Sequence, residues 1–213
     1  MKSINMFTNT SNHSHSALPS VQHIRQAYRA VGNCLSGNVR YALVGGAACQ
    51  SFGSNRLTSD VDLVVPQGQI RAARRLLAAD TQSFTVDPRT LHTQYNSTPP
   101  IQIELLSPPT MFREHFDQNT PTVTMEVEGT EIRVLHPKLI LNAKCRSILG
   151  RTTDERKAAD SGDILFLLKY LGESEQGDGK DTKIEASNAT HEFVEWYVER
   201  YGHKSLWQGV GLA

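Results

Sequence analysis

The sequence predicts a small mixed α/β fold, a β-sheet flanked by helices, on three observations. Short apolar runs of strand type, such as Tyr41 to Val44 and Ile101 to Leu106, are interspersed with amphipathic stretches of helical period. The glycine pair Gly45-Gly46 breaks the first run, and a loop returns the chain to a second, Asp60 to Val65. At 213 residues and 38% hydrophobic, the chain can bury one core domain of roughly 150 residues with extensions.

Composition excludes several classes. Formal net charge is zero, whereas a protein that wraps nucleic acid over its whole surface carries a basic excess. Any RNA contact is therefore expected at a local patch. Cys34, Cys49 and Cys145 are an odd set without Cys-x-x-Cys spacing, against both a disulfide framework and a zinc site. Residues 1–20 lack the apolar core of a signal peptide, and no run reaches the roughly 18 residues of a membrane helix. A cytoplasmic, membrane-free protein is expected.

Taken in order, residues 1–17 are rich in Ser, Asn, Thr and His and read as a disordered tail, in which His13 and His15 are inert. The core domain spans 18–171. It opens with a helix from Pro19 to Val31, with Val21, Ile24, Ala27 and Val31 on one stripe and Gly32-Asn33 as its stop. Strand, glycine turn, short helix, loop and strand follow from Tyr41 to Val65. A helix over Gln69 to Ala79 turns Ile70, Ala73, Leu76 and Leu77 inward and sets Arg71, Arg74 and Arg75 together, either a solvated face or a basic rim for a phosphate-bearing acceptor. Ser83 to Val86 and Ile101 to Leu106 read as strands. Val123 to Val127 and Ile132 to Leu135 form a hairpin about Glu128-Gly129-Thr130. His136-Pro137 starts a helix with proline at its favoured first position, and a second helix runs from Asp154 to Leu171. Residues 172–190 read as a flexible linker. Residues 191–213 carry an amphipathic helix, His191 to Tyr201, whose Phe193, Trp196, Tyr197 and Tyr201 serve as core, docking surface or base-stacking platform.

The chemistry concentrates between Gly45 and Asp62. Alternation along a strand points Asp60 and Asp62 the same way, and two ionised carboxylates on one face are tolerable with a divalent cation between them. Hard oxygen ligands suit magnesium, or manganese in its place. Glycines without a Cβ let backbone amides approach an anion, so Gly45 and Gly46 are candidates to hold phosphate. Phosphate beside metal describes a nucleoside triphosphate. Glu104 shares its face with Gln102 and joins the two aspartates if the strands are neighbours, completing a two-metal set. Arg56, just before the acid strand, is placed to clamp a triphosphate. Lys144 lies between Ile140 and Ile148 on an inward stripe, where it either snorkels or reaches the phosphates. Asp160 and Asp163 continue an apolar stripe and need partners, which Lys144 or Arg151 can supply.

The stretch YALVGGAACQSFGSNRLTSDVDLVV resembles the signature of the nucleotidyltransferase superfamily with the DNA polymerase beta-like fold. The later segments around Lys144 and Arg156-Lys157-Ala158-Ala159-Asp160-Ser161-Gly162-Asp163-Ile164 are similar to the AbiEii/AbiGii toxin-type members, with Ala159-Asp160 where those commonly have Lys-Asp. The resemblance covers about residues 20–172. It implies magnesium-dependent attack of an acceptor hydroxyl on the α-phosphate of a nucleoside triphosphate. Asp60, Asp62 and Glu104 would act on the metals, Glu104 standing where the superfamily usually has aspartate. Gly45, Gly46, Arg56, Lys144 and Asp160 would serve the nucleotide. A tRNA end, another protein and a small molecule all fit as acceptor. A turnover-deficient nucleotide- or RNA-binding module on the same fold, and an interaction protein docking through its aromatic helix, are the competing classes.

Overall fold

Seven strands and seven helices account for the regular structure of the computed structural model, which describes residues 18–175 and 185–212. The tail 1–17 with His13 and His15, the linker residues 176–184 and Ala213 lie outside the described residues. Helix α1 spans Val21–Leu35 and begins where Ser20 Oγ accepts from His23 N. It runs past the expected stop at Gly32. That glycine is an approach point: a Cβ there would lie 2.9 Å from the Glu131 carbonyl and 3.0 Å from Ile132 Cγ2. The turn instead comes at Gly37, whose φ of +77° suits glycine.

Strand β1 (Ala42–Val44) runs directly into helix α2 (Gly45–Ser51), and β2 (Asp60–Val64) returns antiparallel beside β1. Helix α3 (Ile70–Ala79) buries Ala73 and Leu77. Strands β3 (Phe84–Val86), β4 (Thr93–Tyr95) and β5 (Ile101–Leu106) follow, and β5 pairs parallel with β2. The hairpin is β6 (Thr122–Val127) and β7 (Thr130–Leu135), turning through Glu128 and Gly129 at φ +49° and +78°, the left-handed pair that matches strand twist. One mixed sheet results, in the order β3-β4-β5-β2-β1-β7-β6. The strands carrying the acids are central, so their backbones are paired on both sides and the acids sit on a rigid base.

Helix α4 (Pro137–Gly150) is capped by His136, whose ring Nδ1 accepts from Lys138 N, and it packs lengthwise on α5 (Asp154–Glu175). α5 passes Leu171, so the first residues expected as linker are helical. The last of them are also structured: Ala186 and Ala189 are buried, and Asn188 N donates to Asn142 Oδ1 at 2.7 Å. Helices α6 (His191–Tyr201) and α7 (Lys204–Gly209) close the chain. Phe193, Tyr197 and Trp207 are buried against one another, which assigns the aromatic stripe to the core. No helix of the described residues is long and apolar enough to cross a membrane.

Candidate active site

Alternation along β2 buries Val61 and Leu63 completely and turns Asp60 and Asp62 to the other face. The parallel register sets Asp62 opposite Glu104 and Asp60 opposite Gln102, so the two strands are neighbours and the third acid shares that face. On the other flank Val44 is opposite Asp62, which carries the following residue, Gly45, to the acid. Gly45 has φ +65°, and a Cβ there would collide with Asp62 Oδ2. At Gly46 a Cβ would lie 2.5 Å from Arg56 Nη2 and 2.8 Å from Thr58 Oγ1. The two glycines are therefore needed first by the protein's own side chains, one by an acid and the other by a cation.

Three carboxylates in one place raise a charge problem. Burial, then the neighbouring charges of Asp60 and Glu104, push the Asp62 carboxyl up to about 7, against the pull of Lys144 and Arg151. Thr58 Oγ1 donates to Asp60 Oδ1 at 2.8 Å, the one hydrogen bond that Asp60 accepts through its side chain among the described residues. The donors are hard oxygens, and the uncompensated charge is what a divalent cation relieves. Among the described residues no three Asp, Glu, His or Cys side chains are gathered tightly enough to hold an ion as they stand. Binding thus requires the carboxylates to draw together, and Glu104, exposed on its strand, has the freedom to do so.

Behind the acids lies a buried ion network. Lys144 Nζ sits 2.7 Å from Asp160 Oδ1 and 2.8 Å from Asp163 Oδ2, with the three side chains 9%, 2% and 0% exposed. Arg56 grips Asp163 with two nitrogens, Nε to Oδ1 at 2.6 Å and Nη2 to Oδ2 at 2.9 Å, and its Nη1 donates to the Leu57 carbonyl. Asp160 Oδ2 accepts from Ser147 Oγ at 2.9 Å and from Arg151 Nε at 2.7 Å. Burial alone would push Lys144 down, yet Asp163 and Asp160 outweigh it and hold the ammonium above its ordinary value. Burial would likewise push Asp160 up, and Lys144 with Arg151 reverses that and holds it below the usual carboxylate range. The acids on the apolar stripe of α5 thus find the partners expected of them.

A cleft of about 490 Å³ opens over Asp62 and Glu104. Gly45, Lys144 and Arg151 line it, with Leu106, Phe112, Leu135 and Ile140 as an apolar side and Arg113 and Arg146 at the wall. Asp60, Gly46, Arg56 and Asp160 are not part of its lining, and neither are Arg71, Arg74 and Arg75. Sequence reasoning missed Thr58 and Ser147. Thr58 was legible as the residue two before Asp60 on an extended segment, which places its hydroxyl on the same face.

No protein-family model and no curated protein matches the chain. Among solved structures, an antigenic nucleotidyltransferase-like protein from Paracoccidioides brasiliensis is similar over 92% of this chain and 95% of its own, at TM-score 0.66 and 18% identity. ANT(2″)-Ia, solved in complex with adenylyl-2″-tobramycin, is similar over 72% of this chain and 92% of its own, at TM-score 0.46 and 11% identity. Terminal uridylyl transferase 4 from Trypanosoma brucei, with bound GTP, is similar over 87% and 68%, at TM-score 0.35 and 12% identity. The first of these likenesses spans nearly the whole of both chains, and with it the mixed sheet and its helices are those of the nucleotidyltransferase fold.

Proposed function

We propose that this protein is a metal-dependent nucleotidyltransferase, of the AbiEii/AbiGii toxin type, that transfers a nucleoside monophosphate from a triphosphate to an acceptor hydroxyl. The observation that carries the reading is the placement of Asp60, Asp62 and Glu104 on one face of two parallel central strands, with Asp62 and Glu104 at a cleft that Lys144 also lines. Asp60, Asp62 and Glu104 would hold magnesium or manganese. The bound metal would supply charge neutralisation on the phosphates and a lowered pKa for the attacking hydroxyl. The acceptor hydroxyl gives its proton to Glu104, its oxygen forms a bond to the α-phosphorus, the bond from that phosphorus to the bridging oxygen breaks, and pyrophosphate leaves. Hydroxyl, phosphorus and leaving oxygen must lie nearly in line, so holding the two substrates is most of the catalysis.

The chain's own residues divide the rest. Asp62, poised near neutrality, is ionised when a cation is present and relieves its crowding. Gly45 presents bare backbone at the cleft, where a side chain would displace the Asp62 carboxylate. Lys144 keeps the cleft wall cationic. Arg56 and Asp160 act through the buried network that fixes Lys144. The apolar side formed by Leu106, Phe112 and Ile140 suits a base or another flat group. With three free cysteines, two of them buried, a reducing cytoplasmic setting fits the chain.

The test is incubation with each of the four triphosphates, labelled at the α-phosphate, in a whole-cell extract. Label is expected to pass to one fraction, whether RNA, protein or small molecule, and to require both aspartates. Triphosphate binding without any transfer would assign the chain to the binding-module class. The separation of the carboxylates in this structure is the feature that favours that alternative.

A further inference from the structure

The geometry points to Arg151 as the cation that takes the phosphate chain of the nucleotide, with Asp160 as the positioning residue that orients it. The inference rests on the proposed nucleotidyl transfer at this site and changes which side chain meets the substrate. Donor capacity and placement decide it together. A guanidinium carries five N–H donors and an ammonium three. Arg56 engages each of its three nitrogens, two on Asp163 and one on the Leu57 carbonyl, and it does not line the cleft. Lys144 is held by two carboxylates at 2.7 and 2.8 Å in a nearly closed environment. Turning either one to a ligand gives up a short, charge-assisted bond to a buried carboxylate.

Arg151 spends one nitrogen. Its Nε donates to Asp160 Oδ2 at 2.7 Å, and Nη1 and Nη2 make no hydrogen bond among the described residues. The side chain is 36% exposed and lines the cleft that Asp62 and Glu104 share. A guanidinium anchored through Nε presents the remaining pair as a planar fork, the geometry that meets two phosphate oxygens at once. Asp160 is itself fixed at three points, by Lys144, Ser147 and Arg151, so the fork is aimed before substrate arrives. Arg113 and Arg146 also face the cleft, but Arg146 is engaged by Glu114 at 3.5 Å, and Arg113 is exposed with no hydrogen bond among the described residues to set its direction.

The position explains the buried network. Arg56, Asp163, Lys144, Asp160 and Arg151 form one chain of alternating charge from the loop before β2, through α4 and α5, to the cleft. Lys144 and Arg151 both reach the cleft, and Arg151 brings the two nitrogens that no protein group among the described residues engages. The acids of α5 would then serve the reaction through Arg151 without touching substrate.

The experiment measures equilibrium binding of a triphosphate, the matching monophosphate and the unphosphorylated nucleoside, each with magnesium, to the full chain. Wild type is compared with Arg151→Met, Arg151→Lys and Ser147→Ala. Arg151→Met is expected to weaken the triphosphate at least tenfold, about 1.4 kcal/mol, and to leave the nucleoside within twofold. Arg151→Lys, which keeps a charge near Asp160 and loses the fork, is expected between the two, and it stands in if the methionine variant fails to fold. Ser147→Ala removes one of the three points that fix Asp160 and should weaken the triphosphate by less than Arg151→Met does, leaving the nucleoside within twofold. A triphosphate affinity unchanged in both Arg151 variants, or a loss equal for triphosphate and nucleoside, overturns the assignment while the proposed function stands. If wild type binds no triphosphate, both fall.

Discussion

Lys144→Met keeps an unbranched stem of similar length and deletes one charge, so its cost isolates the buried network. Breaking a buried ion pair by removing one partner costs about 3–5 kcal/mol, because the charge left behind is desolvated and unpaired. Here neither acid is left alone: Asp163 keeps Arg56, and Asp160 keeps Arg151 and Ser147. The lower end of that range applies, about 3 kcal/mol, a large share of the 5–15 kcal/mol that holds an ordinary domain together. The pH dependence follows from the directions of the shifts. Asp160 lies below its ordinary value in the fold, so its pairing stabilises above about pH 4 and is lost as pH falls through the folded value. Lys144 lies above its own, so its contribution is complete below about pH 10 and fades as pH rises through the raised value. In the variant the carboxyl of Asp160 rises instead, and acid neutralises a charge that has lost a partner. Urea unfolding of both proteins at about pH 8 and about pH 5 should show a deficit that shrinks at the lower pH. A deficit under about 1 kcal/mol, equal at both pH values, would refute the reasoning and mean that solvent already screens the network.

Two further changes bear on the acids and on the frame. Asp62→Asn should stabilise the ligand-free protein at about pH 8, by about 1–4 kcal/mol, since the wild-type carboxyl titrates near 7 in the fold and stability on this group is lost as pH rises through that value. The gain should vanish by about pH 4, as unfolding curves across that range will report. Gly32→Ala should destabilise, by about 1–3 kcal/mol in urea, although alanine is the better helix former by about 1 kcal/mol, because the new methyl meets the Glu131 carbonyl and the Ile132 and Thr130 side chains across the α1–β7 contact.

Much of the frame was legible because hydrophobic period and turn chemistry agree with burial. The unit from Tyr41 to Val65, the strand Ile101 to Leu106, the hairpin about Gly129 and the four longer helices after Val65 fall where the sequence puts them. Strand β4 was not legible: Thr93-Gln94-Tyr95 has no apolar alternation, and it exists because β3 and β5 pair with it on both sides. Helix α7 escaped for its length, six residues held by the burial of Trp207. Gly32 reads as a helix stop until a strand is known to press on it. The site divides the same way. Two acids two residues apart on a strand announce a shared face, whereas Glu104 joins them only through the parallel pairing of β2 with β5. Asp160 and Asp163 announce a need for cations. That Arg56, 107 residues away from Asp163, meets that need is a matter of tertiary reach that no local pattern encodes.

The central claim is that Asp60, Asp62 and Glu104 gather a divalent cation that binds a triphosphate, and the melting temperature of the full chain with magnesium and nucleotide tests it most directly. A ligand that binds only the folded state adds about 2.7 kcal/mol at a hundredfold excess over its dissociation constant. Wild type is predicted to show a shift with magnesium and triphosphate together that exceeds the shift with triphosphate alone. The Asp60→Asn, Asp62→Asn double variant is predicted to start from a higher melting temperature at neutral pH and to lose the metal-dependent part. A metal-dependent shift of unchanged size in the double variant would contradict the account and place the metal elsewhere.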